Sequence, residues 1–220
     1  RKPFIMQGMP PFLTMRVDDE SGPFDWIHVA NEVGIKPWAG IFLSNIDEVE
    51  AADLSALVNA GQATTAIHAF NGAWFYWAQS DTQIATNFAY GTQWHQSHSI
   101  PISKYVLPHY YQFGSNAFAG LANWGVECVG TQMNPDQGYG AAWIMNGPYR
   151  TYETGSSSSG VPGYYADYMT IPGHPEFNGR FFNLVTEIRD DLGYEWYPNN
   201  DVSGTIYHGT LQTKRALDSM

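Results

Sequence analysis

Apolar runs that break off into charged or polar residues, each followed by a stretch with helical spacing, recur along this chain. The first, Phe12-Leu13-Thr14-Met15-Arg16-Val17, stops at Asp18-Asp19-Glu20 and a Ser-Gly-Pro turn, which reads as a buried strand delivering acids to its C-terminal end. Pro23 to Val33 has helix spacing with Gly34 as a stop, and Ile35 to Ile46 reads as a second strand. Asp47 to Asn59 predicts a helix with Asp47 as N-cap, Glu48 and Glu50 in the first turn, and Leu54, Leu57 and Val58 as its apolar stripe. Gly61 ends it, and a third strand, Ala63 to Ile67, finishes at His68.

The alternation continues. Asn71 to Trp77 is an aromatic loop, Asp81 to Ser97 a helix with Ile84, Phe88 and Gly91 to Trp94 on one side, and Lys104 to Leu107 a strand running into Pro108-His109-Tyr110-Tyr111. Asn116 to Trp124 predicts a helix and Val126 to Val129 a buried strand. From Asn134 to Pro175 the periodicity lapses, with a Ser156 to Ser159 run before Gly160, and a long excursion across one face is expected. A helix over Arg180 to Leu192, a strand over Thr205 to His208 and a helix over Thr210 to Leu217 complete the reading. Short connections between alternating strands and helices predict an α/β fold, a parallel sheet closed or nearly closed as a distorted (β/α) barrel. No shift in composition marks a linker, so residues 1–220 read as a single domain.

Composition narrows the partners. Aromatic residues make up 15% of the chain and charged residues only 14%, which leaves aromatic surface suited to the apolar faces of sugar rings. The net charge of -11 opposes nucleic acid and anionic membranes, whose phosphates need Lys and Arg. The single Cys128, inside the apolar run Val126 to Val129, forms no internal disulfide and reads as a small core residue. There is no apolar stretch of membrane-spanning length and no signal peptide; a start at Arg1 without Met fits a processed or trimmed chain, or a piece of a longer one.

In a parallel barrel the C-terminal strand ends converge on one mouth, so Asp18-Asp19, His68, His109 and His208 become neighbours despite their separation in sequence. Carboxylate oxygens with imidazole nitrogens suit Zn²⁺ and similar divalent ions. A solvated acidic turn and hydrogen-bonded structural histidines are the alternative, and clustering at several strand ends weighs against it.

These same segments resemble the NodB-type polysaccharide deacetylases, metal-dependent carbohydrate esterases on a distorted (β/α) barrel. Arg16-Val17-Asp18-Asp19 is similar to that family's Thr-Phe-Asp-Asp motif, Ile67-His68 to the start of its second motif, Leu107 to Gly114 to its Arg-x-Pro-x-Gly motif, and Ile206-Tyr207-His208-Gly209 to its closing Leu-x-His. The resemblance implies acetyl removal from a polysaccharide or oligosaccharide, with Asp18 as base, His208 as acid and Asp19 and His68 as ligands of a divalent ion, zinc first among them. The family's second imidazole, four residues on, is replaced by Gly72, and His109 is the candidate to supply it, since His95 and His98 lie in a helix and are expected to face solvent. The third-motif Arg is absent, and Arg16, two residues before Asp18 on the same side of a strand, is the candidate to replace it. Trp74, Trp77, Tyr110 and Tyr111 would offer stacking surface, and the expected setting is secreted or periplasmic, of bacterial type. His174 and Glu176 read first as a turn flanked by prolines. Two other classes stay open: a glycoside hydrolase pairing Asp18 or Asp19 with Glu127 or Glu176, and a carbohydrate-binding domain without catalysis.

Overall fold

The computed structural model describes residues 15–71, 75–77, 79–109, 113–131, 167–169, 171 and 173–185. All of them fall within Thr14–Val185, one of two compact units into which the chain divides. Seven strands are described: β1 (Arg16–Glu20), β2 (Trp38–Phe42), β3 (Thr64–Ala69), β4 (Tyr105–Val106), β5 (Cys128–Thr131), β6 (Asp167–Tyr168) and β7 (Phe182–Val185). One sheet is parallel throughout in the order β1-β2-β3; the other runs β4-β5-β7-β6, parallel except for β6 at its edge. The sheets meet where the Ser103 N–H donates to the Thr65 carbonyl at 2.9 Å and a ring nitrogen of His68 bonds the Leu107 carbonyl at 2.8 Å. Advancing together from Thr65 to His68 and from Ser103 to Leu107, β3 and β4 run the same way. Among the described residues no ladder joins β6 to β1, so the expected barrel is seen as two adjoining, mostly parallel sheets without closure.

The helices cover this framework: α1 (Asp25–Glu32), α2 (Glu48–Asn59), α3 (Asp81–Ser97) and α4 (Phe118–Asn123). The start of α2 is a complete capping box. The Asp47 carboxylate accepts from the Val49 and Glu50 N–H groups at 2.8 and 2.9 Å, and Glu50 accepts from the Asp47 N–H at 2.9 Å, worth about 1 kcal/mol for a cap of this kind. Leu54 and Leu57 are buried beneath it. On α3, Ile84, Phe88, Gly91 and Trp94 face the core as their spacing predicts. They join Ile27 of α1, Ile41, Ile67, Val106 and Val129 of the strands, and Phe118 and Leu121 of α4.

Several boundaries differ from the sequence expectation, for identifiable reasons. Pro37 lacks the N–H a ladder needs, so β2 begins only at Trp38 and gives way to a 3-10 turn at Leu43–Asn45. Pro101 and Pro108 likewise bracket β4 and confine it to two residues. The expected helix over Asn116 to Trp124 divides into a 3-10 turn, Ser115–Ala117, and α4. The helix predicted from Arg180 is corrected: Phe182–Val185 is strand β7, hydrogen-bonded to β5 on one side and β6 on the other. Two flanking partners outweigh a helical spacing that the aromatic and β-branched residues of this run only weakly favour. Cys128 is half-buried at the start of β5 rather than in the core, and burial pushes its thiol up. Of the irregular stretch from Asn134 to Pro175, β6 and the start of a 3-10 turn, Pro175–Phe177, are described. The Ser156 to Gly160 run, the strand ending at His208 and the helix from Thr210 lie outside the described residues.

Candidate metal centre

The ladder between β1 and β2 contains one irregularity, and it falls on the acidic pair. Val17 lies opposite Ala39 and Glu20 opposite Ile41, so Asp18 and Asp19 together face the single residue Gly40. Asp19 has a φ of 61°, left-handed backbone that costs a residue with a Cβ roughly 1–2 kcal/mol. Consecutive side chains of a regular strand point to opposite faces. The bulge removes that restriction, and both carboxylates approach one imidazole: Asp19 Oδ1 is 3.2 Å and Asp18 Oδ2 4.0 Å from His68 Nε2. Gly40 belongs to the same construction. A Cβ there would sit 2.5 Å from the Trp38 ring and 3.2 Å from the Cβ of His68.

His68, on β3, is 2% exposed. Its Nδ1 faces the Leu107 carbonyl at 2.8 Å, and a carbonyl only accepts, so Nδ1 carries a hydrogen and donates. Nε2 therefore turns toward Asp19 either as part of an imidazolium or with its lone pair aimed at a shared cation. His109, three residues past the end of β4, brings its Nε2 to 3.6 Å from the same Asp19 oxygen. Phe42, at the end of β2, walls off both imidazoles, with ring centroids 5.8 Å from His68 and 5.3 Å from His109. The hydrogen bond from His68 holds the Asp19 carboxyl below the usual carboxylate range, against a smaller opposing effect of burial and with help from the charges of His68 and His109. Glu20 shows the reverse: burial pushes it up, opposed by a 2.9 Å hydrogen bond from the Trp26 indole N–H and reinforced by the charges of Asp18 and Asp19.

The donor types, one carboxylate and two imidazoles, suit a divalent ion such as zinc. Bonds of about 2.0–2.1 Å to a Zn²⁺ ion place neighbouring ligand atoms roughly 3.3 Å apart. The two separations to Asp19 are 3.2 and 3.6 Å, and all three ligand atoms lie within 4.8 Å of one another. Three ligands leave a fourth position for water or substrate.

Asp18, Asp19, His68 and His109 are thus brought together as their strand ends predict. Arg16 joins them, its Nη1 donating to Asp18 Oδ2 at 3.3 Å. Trp77 is half-buried, while its neighbours Phe75 and Tyr76 are core residues, Tyr76 donating its hydroxyl to the Ile67 carbonyl at 2.6 Å. His208, Trp74, Tyr110 and Tyr111 lie outside the described residues. His95 and His98 correct the expectation that they face solvent. His95 is 2% exposed against the core, and His98 is folded back onto the Trp94 carbonyl at 2.8 Å and Glu48 at 3.4 Å. Glu127 precedes β5, at the opposite end of its strand from the end that carries the candidate site, and binds Lys104 at 2.6 Å. His174 and Glu176 pair with each other at 3.1 Å in the proline-flanked turn. Sequence reasoning missed Phe42, Gly40 and the contact between Glu20 and Trp26; a lone glycine inside the apolar run Trp38 to Phe42 was the available sign of a bulge or close approach.

No family model matches the sequence, and no curated protein does. Among solved structures the chain is similar to IcaB from Ammonifex degensii, at 16% identity and a TM-score of 0.45, covering 56% of this chain and 61% of that one. It is also similar to a family 4 carbohydrate esterase from Streptomyces lividans, solved in complex with acetate, at 15% identity and a TM-score of 0.41, covering 53% and 60%. The chain thus spans about three fifths of each.

Proposed function

We propose that this chain is a metal-dependent hydrolase that removes acetyl groups from a polysaccharide or oligosaccharide. The observation that carries the proposal is the convergence of Asp19, His68 and His109, with ligand atoms within 4.8 Å of one another and Asp18 alongside. The choice of an acetylated sugar rests on the order of motifs in the sequence. Asp19, His68 and His109 would hold the ion, zinc by its preference for such donors. A divalent ion held there supplies Lewis acidity, polarising a carbonyl and making water acidic enough to ionise near neutral pH. Asp18 would take the proton from the attacking water, with Arg16, 3.3 Å away, orienting its carboxylate. His208 is the proposed proton donor to the leaving alcohol or amine. Trp74, Trp77, Tyr110 and Tyr111 are the proposed sugar-stacking residues.

The setting proposed is secreted or periplasmic; among the described residues no helix is long and apolar enough to cross a membrane. The test is acetate release from N-acetylated and O-acetylated oligosaccharides by the full chain, after chelation and after return of Zn²⁺. Release that disappears with the ion and with Asp18→Asn is expected. Glycosidic cleavage indifferent to chelation would replace this reading with the two-carboxylate one, and saccharide binding that survives Asp18→Asn with no acetate from any substrate would leave only a binding domain.

A further inference from the structure

Asp19 holds left-handed backbone between two fixed points. On its N-terminal side Arg16 and Val17 are paired with Trp38 and Ala39; on its C-terminal side Glu20 pairs with Ile41. The Asp19 carboxylate gains its contacts with His68 at 3.2 Å and His109 at 3.6 Å in this conformation, which favours it from the side of the site. A regular strand would carry Asp19 into the register now held by Glu20 and turn one of the two aspartates away from His68. On the far side of the bulge the observed register is held by the side chain of Glu20, whose Oε2 accepts from the indole N–H of Trp26 at 2.9 Å. Trp26 is itself half-buried on α1 and packed against the core, so it is a fixed donor rather than a mobile surface group.

We infer that Trp26, acting through Glu20, is a positioning residue for the metal site: its hydrogen bond locks the bulge that turns Asp18 and Asp19 toward the same imidazole, His68. The inference rests on the metal reading for its consequence, though not for the backbone state it describes. Trp26→Phe removes the donor while keeping an aromatic ring, and comparison with Glu20→Gln, which removes the charge but keeps an acceptor, separates loss of the hydrogen bond from altered electrostatics. Loss of an outer partner of a metal ligand lowers affinity roughly 10-fold to 100-fold, and the lower end is expected here because Arg16 and Val17 keep their pairing with β2.

Two measurements on the full chain separate the inference from the reading beneath it. Cobalt titration, followed by the visible bands that report coordination geometry, should show Trp26→Phe binding about tenfold more weakly with altered band intensities. Backbone carbon and nitrogen chemical shifts of Asp19 in metal-free protein should move from left-handed toward extended values in Trp26→Phe and stay in place in Glu20→Gln, which keeps an acceptor for the indole. A folded Trp26→Phe protein with unchanged Asp19 shifts and unchanged cobalt affinity overturns the inference. Shifts that move in Trp26→Phe while the unsubstituted chain takes up no cobalt would uphold the lock and remove the metal reading instead. Should Trp26→Phe fail to fold, Glu20→Ala, which leaves the indole in place, decides by the same Asp19 shifts.

Discussion

Replacing Asp19 by alanine and, separately, by glycine isolates the backbone strain at the centre of the site. Both substitutions delete the carboxylate and its contacts with His68 and His109, so those contributions cancel in the comparison. What remains is the backbone at φ 61°. Alanine there costs about 1–2 kcal/mol relative to a residue without a Cβ, while glycine loses roughly 0.5–1 kcal/mol through the greater freedom of its unfolded chain. The balance leaves Asp19→Gly more stable than Asp19→Ala by about 1 kcal/mol. At an extended strand position the sign would reverse, because glycine is there the poorer residue by about 0.5–1 kcal/mol. Urea unfolding with chelator present measures the difference: with a slope near 2 kcal/mol/M, about 1 kcal/mol separates the midpoints by about 0.5 M. In thermal melts the same gap is roughly 2–4 °C for a chain of this size. An alanine variant as stable as the glycine variant, or more so, would mean that Asp19 is not held left-handed and that the shared orientation of the two carboxylates has another origin.

Three further outcomes are expected. Zinc added to chelator-stripped protein at about a hundred times its dissociation constant should stabilise the fold by about 2.7 kcal/mol; a melt that does not move, or that moves equally in Asp19→Asn and His68→Ala, would count against the ligand set. Burial lowers the His95 pKa to about 4, so the folded protein resists a proton that the unfolded chain accepts near pH 6.5. His95's contribution is therefore level above pH 6.5 and declines as the pH falls toward about 4, by up to roughly 3 kcal/mol. His95→Phe should flatten that part of the stability profile measured by urea unfolding between about pH 7 and pH 4, and an unchanged slope would refute the assignment. Gly40→Ala should cost about 1–3 kcal/mol and weaken metal binding together, since the new methyl meets the Trp38 ring and the Cβ of His68; wild-type values of both would show that β1 and β2 have room there.

Local chemistry made some elements readable from the chain alone. The N-cap at Asp47, the stripe of Leu54 and Leu57, and the spacing of Ile84, Phe88 and Trp94 each carry their own signal within a few turns, and α2 and α3 stand where that signal puts them. Strand β7 had no such signal. Its four residues became strand because β5 and β6 supply hydrogen-bond partners on both sides, and such pairing is invisible in a short apolar run. His95 shows the same limit from the other direction: a histidine near the end of a polar helix reads as exposed, and only the packing of Ile100 and Trp94 around it encloses the ring.

The candidate site divides along the same line. The residue types and their position at strand ends are properties of the sequence, because a strand's apolar run and its polar end are written in consecutive residues; Asp18-Asp19, His68 and His109 were identifiable on that basis. That Asp18 and Asp19 reach one imidazole, that Leu107 fixes the hydrogen on His68, and that Trp26 grips Glu20 were decided only by tertiary structure. A strand's alternation forbids the first, and the other two depend on groups brought close by chain segments up to 39 residues apart.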